Sequence, residues 1–280
     1  MSRVSATEHD LGVTARPALE FVAVDLVEHG TTVLRQVTWT VFADERWVVL
    51  GPNGSGKTSL LRLAAFQRAP SSGTVTVLGD TYGAVDVRVA RRRVGLASSA
   101  TLQRLRATLT AHDAVVTGHD GALEPWWSSY GDAVHRRADA FLASVGCADH
   151  TDQELATLSE GERKRVLVAR LLMAEPGLLL FDEPCAGLDL GGREAIVALV
   201  GRLARDGPTP LVLVTHHVEE IPHGITHALL VRAGEIVSAG PIATTLTSQA
   251  VSNTFGVPVE VSTDGHRYTA RIAAEGGFLT

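Results

Sequence analysis

The sequence predicts an α/β fold: a mainly parallel sheet flanked by helices, with an antiparallel β subdomain near the start and a helical insertion in the middle. Three observations predict it. Short β-like runs alternate with helical patterns along the chain. The runs Leu178 to Phe181 and Leu211 to Thr215 are continuously apolar, as strands covered on both faces must be. Finally, Arg46 to Phe66 reads as strand, glycine-rich turn and leucine-rich helix in direct succession.

Met1 to Pro17 mixes Ser, Thr, Glu, His and Asp without a continuous apolar stretch, and is expected to be a flexible tail rather than a signal or an anchor. Residues 18–245 are expected to form the main domain. Phe21 to Leu26, Val33 to Phe42 and Arg46 to Leu50 read as strands, followed by a helix from about Lys57 to Phe66. Thr74 to Leu78 and Val94 to Ala97 read as further strands. Between about Ser99 and Leu155 the pattern turns helical, with Ala133 to Val145 setting Ala, Phe, Leu and Val at helical intervals. Ala228 to Val237 reads as a hairpin turning at Ala233-Gly234. Residues 246–280 are expected as an appendage: a helix from about Thr245 to Phe255, then a hairpin of Val257 to Ser262 and His266 to Ile272.

Composition narrows the function. The chain has 280 residues, 45% hydrophobic content and a formal charge of −6, so no overall basic field points to nucleic acid. Two cysteines, Cys147 and Cys185, are too few for a disulfide framework and read as small buried hydrophobes of a reducing compartment. No window reaches the roughly 18 consecutive apolar residues of a membrane helix. Any membrane-crossing part must then belong to another chain.

The strand Arg46 to Leu50 runs into Gly51-Pro52-Asn53-Gly54-Ser55-Gly56-Lys57-Thr58, the pattern and context of a phosphate-binding loop. Glycines let backbone N–H groups turn toward phosphates, and the helix N-terminus adds its positive dipole. Lys57 can reach the β- and γ-phosphates of a bound nucleotide, and Thr58 can offer its hydroxyl to Mg²⁺. The expected fold is therefore that of a P-loop NTPase with a RecA-like core.

A second constellation, Leu178-Leu179-Leu180-Phe181-Asp182-Glu183, is an apolar strand ending in adjacent carboxylates. Successive side chains at a strand end point differently. Asp182 is thus suited to hold Mg²⁺ through water, and Glu183 to polarise the attacking water as general base. His216 ends the strand Leu211 to Thr215, where it is suited to contact the γ-phosphate and hold Glu183 and the water. His217, Glu219, Glu220, His223 and His227 nearby offer a metal site as the competing reading.

Leu158-Ser159-Glu160-Gly161-Glu162, followed by Arg163-Lys164-Arg165-Val166 and an apolar helix, resembles the signature motif of ABC ATPases, whose commonest form is L-S-G-G-Q. Here its third and fifth positions are Glu. Pro184-Cys185-Ala186-Gly187-Leu188-Asp189 resembles the D-loop of that family, and Thr215-His216 its switch histidine. The resemblance covers about Phe21 to Gly240. It implies a nucleotide-binding subunit in which Ser159, Gly161 and Glu162, with Asp189, contact ATP held by a second copy, so that hydrolysis requires a homodimer or paired subunit. It also implies a cytoplasmic protein peripherally bound to the inner face of the membrane, working with an integral membrane permease. The tail Leu246 to Val259 resembles ATPases of siderophore, haem and cobalamin importers, which implies import of an iron chelate or a similar small solute. A soluble relative uncoupled from membranes, as in iron–sulfur cluster assembly, is the alternative. A P-loop small-molecule kinase gives no account of Ser159 to Glu162.

Two positions depart from the family. Ser98-Ser99 stand where a Gln usually follows the strand Val94 to Ala97, so Ser99 is the expected substitute ligand for Mg²⁺ and water. His29 stands in the Glu28-His29-Gly30 turn, where an aromatic residue usually stacks on adenine. The basic run Arg88, Arg91, Arg92 and Arg93 reads as a solvated helix end, and Trp126-Trp127 as either a permease contact or packing within the insertion.

Overall fold

A computed structural model of the chain describes residues 16–125 and 130–273; the pair Trp126-Trp127 and most of the expected tail lie outside them. The first half contains β1 (Leu19–Glu28), β2 (Thr31–Val41), β3 (Arg46–Leu50), α1 (Lys57–Ala64), β4 (Ser72–Val77), β5 (Asp80–Thr81), α2 (Val87–Arg92) and β6 (Val94–Ala97). Then come α3 (Ser99–Arg104), α4 (Ala111–Val116), α5 (Asp132–Ser144), α6 (Glu160–Met173), β7 (Leu178–Asp182), α7 (Leu190–Asp206) and β8 (Leu211–Thr215). The chain continues through β9 (His227–Arg232), β10 (Glu235–Pro241), α8 (Ile242–Thr245), α9 (Ser248–Phe255), β11 (Val259–Thr263) and β12 (Tyr268–Ile272).

The central sheet has the strand order β10-β9-β3-β8-β7-β6. It is parallel from β9 through β6, and β10 adds an antiparallel edge through the Ala233-Gly234 turn, where both residues take positive φ. A second, antiparallel sheet, β2-β1-β4-β5, is hydrogen-bonded separately and packs on one face of it.

Alternation along the central strands explains how the layers stack. Val48 and Leu50 of β3, Leu179 and Phe181 of β7, and Leu211 and Leu213 of β8 bury into one core with α4, α5, α6 and α7. Their neighbours Trp47, Val49, Leu178, Leu180, Val212 and Val214 bury into a second core with α1, β1, β2 and β4. Each central strand therefore feeds both faces, which is why its sequence shows no polar alternation. Phe21, Trp39 and Trp47 pack ring to ring in the second core, at centroid separations of 5.8 and 5.5 Å.

α6 packs against α4 and α5, joining the helical segment to the central sheet. Arg170 on α6 is buried, and its guanidinium donates to the carbonyls of Ala114 and Ala122 and to the Thr117 hydroxyl. Burial pushes its pKa down to about 10. No helix among the described residues is long and apolar enough to cross a membrane.

Candidate functional site

The loop between β3 and α1 is shaped by what surrounds it. A Cβ on Gly51 would meet the Val231 carbonyl oxygen at 2.1 Å, so only glycine lets the chain leave β3 this close to β9. Gly56 caps α1 at φ 102° without a side chain, leaving the first-turn N–H groups free of any side-chain cap. Those donors and the positive end of the helix dipole converge where an anion would sit.

Lys57 is 4% exposed, and its Nζ donates to the carbonyls of Gly51 at 2.8 Å and Pro52 at 2.9 Å. Burial lowers the ammonium pKa, opposed by the Glu183 and Asp182 carboxylates. Thr58 Oγ1 donates to Asp182 Oδ1 at 3.0 Å. Burial raises the Asp182 carboxyl, a rise opposed by the Thr58 hydrogen bond and, further down, by the charges of Arg62 and Lys57. The pair, two hard oxygen donors from helix and strand, suits Mg²⁺ held mainly by water.

Glu183 takes φ 47°, a left-handed conformation that costs a non-glycine residue energy. Its N–H still donates to the Val214 carbonyl at 3.0 Å, so the chain stays tied to β8 while its course changes after Asp182. Glu183 Oε1 then lies 3.2 Å from His216 Nδ1 and 4.0 Å from Lys57 Nζ. Sequence and structure thus bring Lys57, Thr58, Asp182, Glu183 and His216 together. Asn53, Gly54, Gly56, Lys57, Thr58 and Glu183 line one cleft, and Thr58, Arg62, Ser98, Ser99, Asp182 and Glu183 an adjoining one. Ser99 is thereby set beside Asp182 and Glu183. Arg62, which the sequence reading passed over, follows Thr58 at i+4 on α1, and that spacing was its one visible signal.

The other expected residues lie elsewhere. Ser159 caps α6 in a capping box: Glu162 Oε2 accepts from the Ser159 N–H at 2.8 Å, and the Glu162 N–H donates to Ser159 Oγ at 3.3 Å. Glu162 Oε1 also meets His150 Nε2 at 3.2 Å, so both its oxygens are engaged within the chain. That backbone hydrogen bond holds the Glu162 carboxyl below the usual glutamate range. Asp189 caps α7, accepting from the Gly192 N–H at 2.8 Å. His29 is exposed at the tip of the β1–β2 turn with φ 48°. Among the described residues, neither cleft is lined by Ser159, Gly161, Glu162, Asp189 or His29. No cluster of three or more metal-ligating His, Cys, Asp or Glu is present among the described residues, including the His216 to His227 stretch.

Comparison with known proteins adds the lineage of this site. The family model described as "ABC transporter" matches residues 34–186. The ABC transporter ATP-binding protein YlmA of Bacillus subtilis is 35% identical over 245 residues, covering 87% of this chain and 92% of YlmA. Phosphonates import ATP-binding protein PhnC 1 of Rhodopseudomonas palustris is 32% identical, covering 81% of this chain and 82% of that protein. Among solved structures, the dimeric post-hydrolysis state of the ATP-binding cassette MJ0796, bound to ADP and Pi, superimposes with a TM-score of 0.69 at 22% identity, over 80% of this chain and 98% of that one.

Proposed function

The chain belongs to the ABC transporter ATP-binding family and hydrolyses ATP, and from that premise we propose that two copies close on two ATP molecules to drive a separate membrane-spanning permease. In this reading the protein works in the cytoplasm, on the inner face of the membrane, and serves import. The single observation that carries it is the division of the site within one chain. Gly51 to Thr58, Asp182, Glu183 and His216 share one end of the sheet, while the Ser159–Gly161 helix end lines neither cleft. A second copy would supply that helix end.

The chemistry follows from the geometry. Loop N–H groups and the α1 dipole bind the phosphates, and Lys57 exchanges its carbonyl partners for phosphate oxygens. Thr58 and Asp182 are the residues that would hold Mg²⁺, whose charge would offset that of the phosphates. Glu183 accepts a proton from the attacking water, and His216 holds the Glu183 carboxylate in line. Ser159 and Gly161 of the second copy close the site and exclude bulk solvent from around the attacking water.

Ser99, which lines the cleft with Asp182, would complete the metal's surroundings in place of the longer Gln. Ser99→Gln should strengthen the apparent affinity for Mg²⁺ in ATP hydrolysis, because a longer side chain reaches further into the cleft shared with Asp182. An unchanged Mg²⁺ titration would remove Ser99 from the metal's surroundings.

For the solute we favour an iron chelate or a similar small molecule, on the resemblance of Leu246 to Val259 to such importers. The phosphonate-import name of one relative supports import in general. Affinity capture from detergent-solubilised membranes tests the transport reading. Recovery of a multi-helix membrane protein is the expected result, and recovery of soluble partners alone would overturn it.

A further inference from the structure

We propose that Arg267, in the terminal hairpin, is a positioning residue for ATP hydrolysis: its guanidinium ties the loop after His216 to helix α7, the helix that follows the loop from Glu183 to Asp189. The proposal rests on the role given above to His216.

The hairpin is built to hold that guanidinium still. In the turn between β11 and β12, Asp264 Oδ1 accepts from the N–H groups of His266 at 2.8 Å and Arg267 at 2.7 Å. Arg267 Nη1 donates to Glu194 Oε2 at 2.7 Å and Nη2 to Glu194 Oε1 at 3.2 Å. The same Nη2 donates to the Glu219 carbonyl at 2.6 Å. Further along β12, the Ala270 N–H donates to Glu219 Oε1 at 3.0 Å. The hairpin thus grips Glu219 by main chain and side chain.

From Glu219 the connection to His216 is short. The next residue, Glu220, is buried, and its carboxylate accepts from Thr215 Oγ1. Thr215 Oγ1 in turn accepts from the His217 N–H at 3.1 Å. Thr215, before His216, is therefore fixed to the Glu220 carboxylate, His217, after it, is fixed to Thr215, and Glu219 links that network to the hairpin. On the other side, Glu194 lies in the second turn of α7, whose cap Asp189 ends the loop that begins at Glu183. One planar fork spans both segments, its two parallel N–H groups matching the carboxylate while a further N–H reaches the carbonyl. Arg267 is 32% exposed and Glu194 44%, so the bond restrains more through geometry than through charge.

Steady-state ATP hydrolysis by the full chain tests this, with R267A, E194Q, H216A and R267A/H216A compared by kcat, KM for ATP and melting temperature. R267A should lower kcat on the order of tenfold, as small misplacements at a reacting centre do, with KM for ATP within about twofold. In the H216A background R267A should cost little more, because the two act through one element. E194Q should lower kcat in the same direction by less. R267A with wild-type kcat would overturn the clamp, as would a loss that multiplies in full on H216A, the mark of a structural strut. If R267A does not fold, E194Q with wild-type kcat overturns it equally. H216A with full turnover would instead overturn the His216 reading on which the clamp rests.

Discussion

Glu183→Gln is expected to lower ATP turnover by about 10² to 10⁴-fold, the usual contribution of a general base, while ATP binding stays intact. The amide keeps the size of the carboxylate and can keep the contact to His216 Nδ1, 3.2 Å away in the wild type. It cannot take a proton from water. The left-handed backbone at φ 47° is set by tertiary contacts, including the N–H bond to Val214, that the substitution leaves in place. With hydrolysis blocked, the closed pair should persist, and sedimentation with ATP should show a dimer. Hydrolysis at the wild-type rate by this variant would mean that the base lies elsewhere.

Lys57→Ala is expected to weaken ATP binding by about 1.5 to 3 kcal/mol, or roughly ten- to a hundredfold, the range for hydrogen bonds to charged groups. Turnover should fall with it, since the same ammonium neutralises the γ-phosphate as charge moves. The fold should not suffer. Lys57 has a lowered pKa in the folded chain, so burying its charge opposes folding below the folded-state pKa, and that cost disappears only above the unfolded value. Removing the side chain at neutral pH therefore relieves a cost while giving up bonds to two carbonyls. A melting temperature close to the wild-type value, with ATP affinity lost, is the expected pair of results. A collapse in melting temperature would make Lys57 a folding residue instead.

The loop and strand end that bring Lys57, Thr58, Asp182 and Glu183 together were legible in the sequence because their pattern is local. Gly51 to Thr58 are consecutive, and Asp182 and Glu183 sit at the end of an apolar run whose burial demands a parallel strand. Strands β3, β6 and β8 begin and end where the sequence patterns place them. Helix α7 is harder to read, because its first turn is Leu-Gly-Gly, and glycines weaken the helical signal. Only the Asp189 cap and the later Ile196, Val197, Val200 and Ala204 announce it.

Other features depend on tertiary structure. Nothing in the sequence says that Glu183 takes a left-handed backbone, since glycine is the residue that signals it. Family resemblance implies that Glu162 meets nucleotide across a pair of copies; Glu three residues after Ser is also the mark of a capping box, and within one chain Glu162 closes that box. The contact of Arg267 with Glu194 and Glu219 joins residues far apart in sequence, and no local pattern encodes it.

The most direct measurement of the central claim, that each ATP is held between two copies, mixes two inactive variants. Lys57→Ala lacks the phosphate grip but keeps Ser159 and Gly161. Gly161→Asp keeps the grip and places a carboxylate at the opposite helix end; a Cβ at Gly161 meets its nearest neighbour, the Gly192 Cα, at 3.6 Å, so the fold accepts it. A mixed dimer then contains one site with both halves intact. The account predicts that each variant alone is nearly inactive and that an equal mixture regains about a quarter of wild-type turnover, with half the dimers mixed and one site working in each. A mixture no more active than the two variants alone would contradict it.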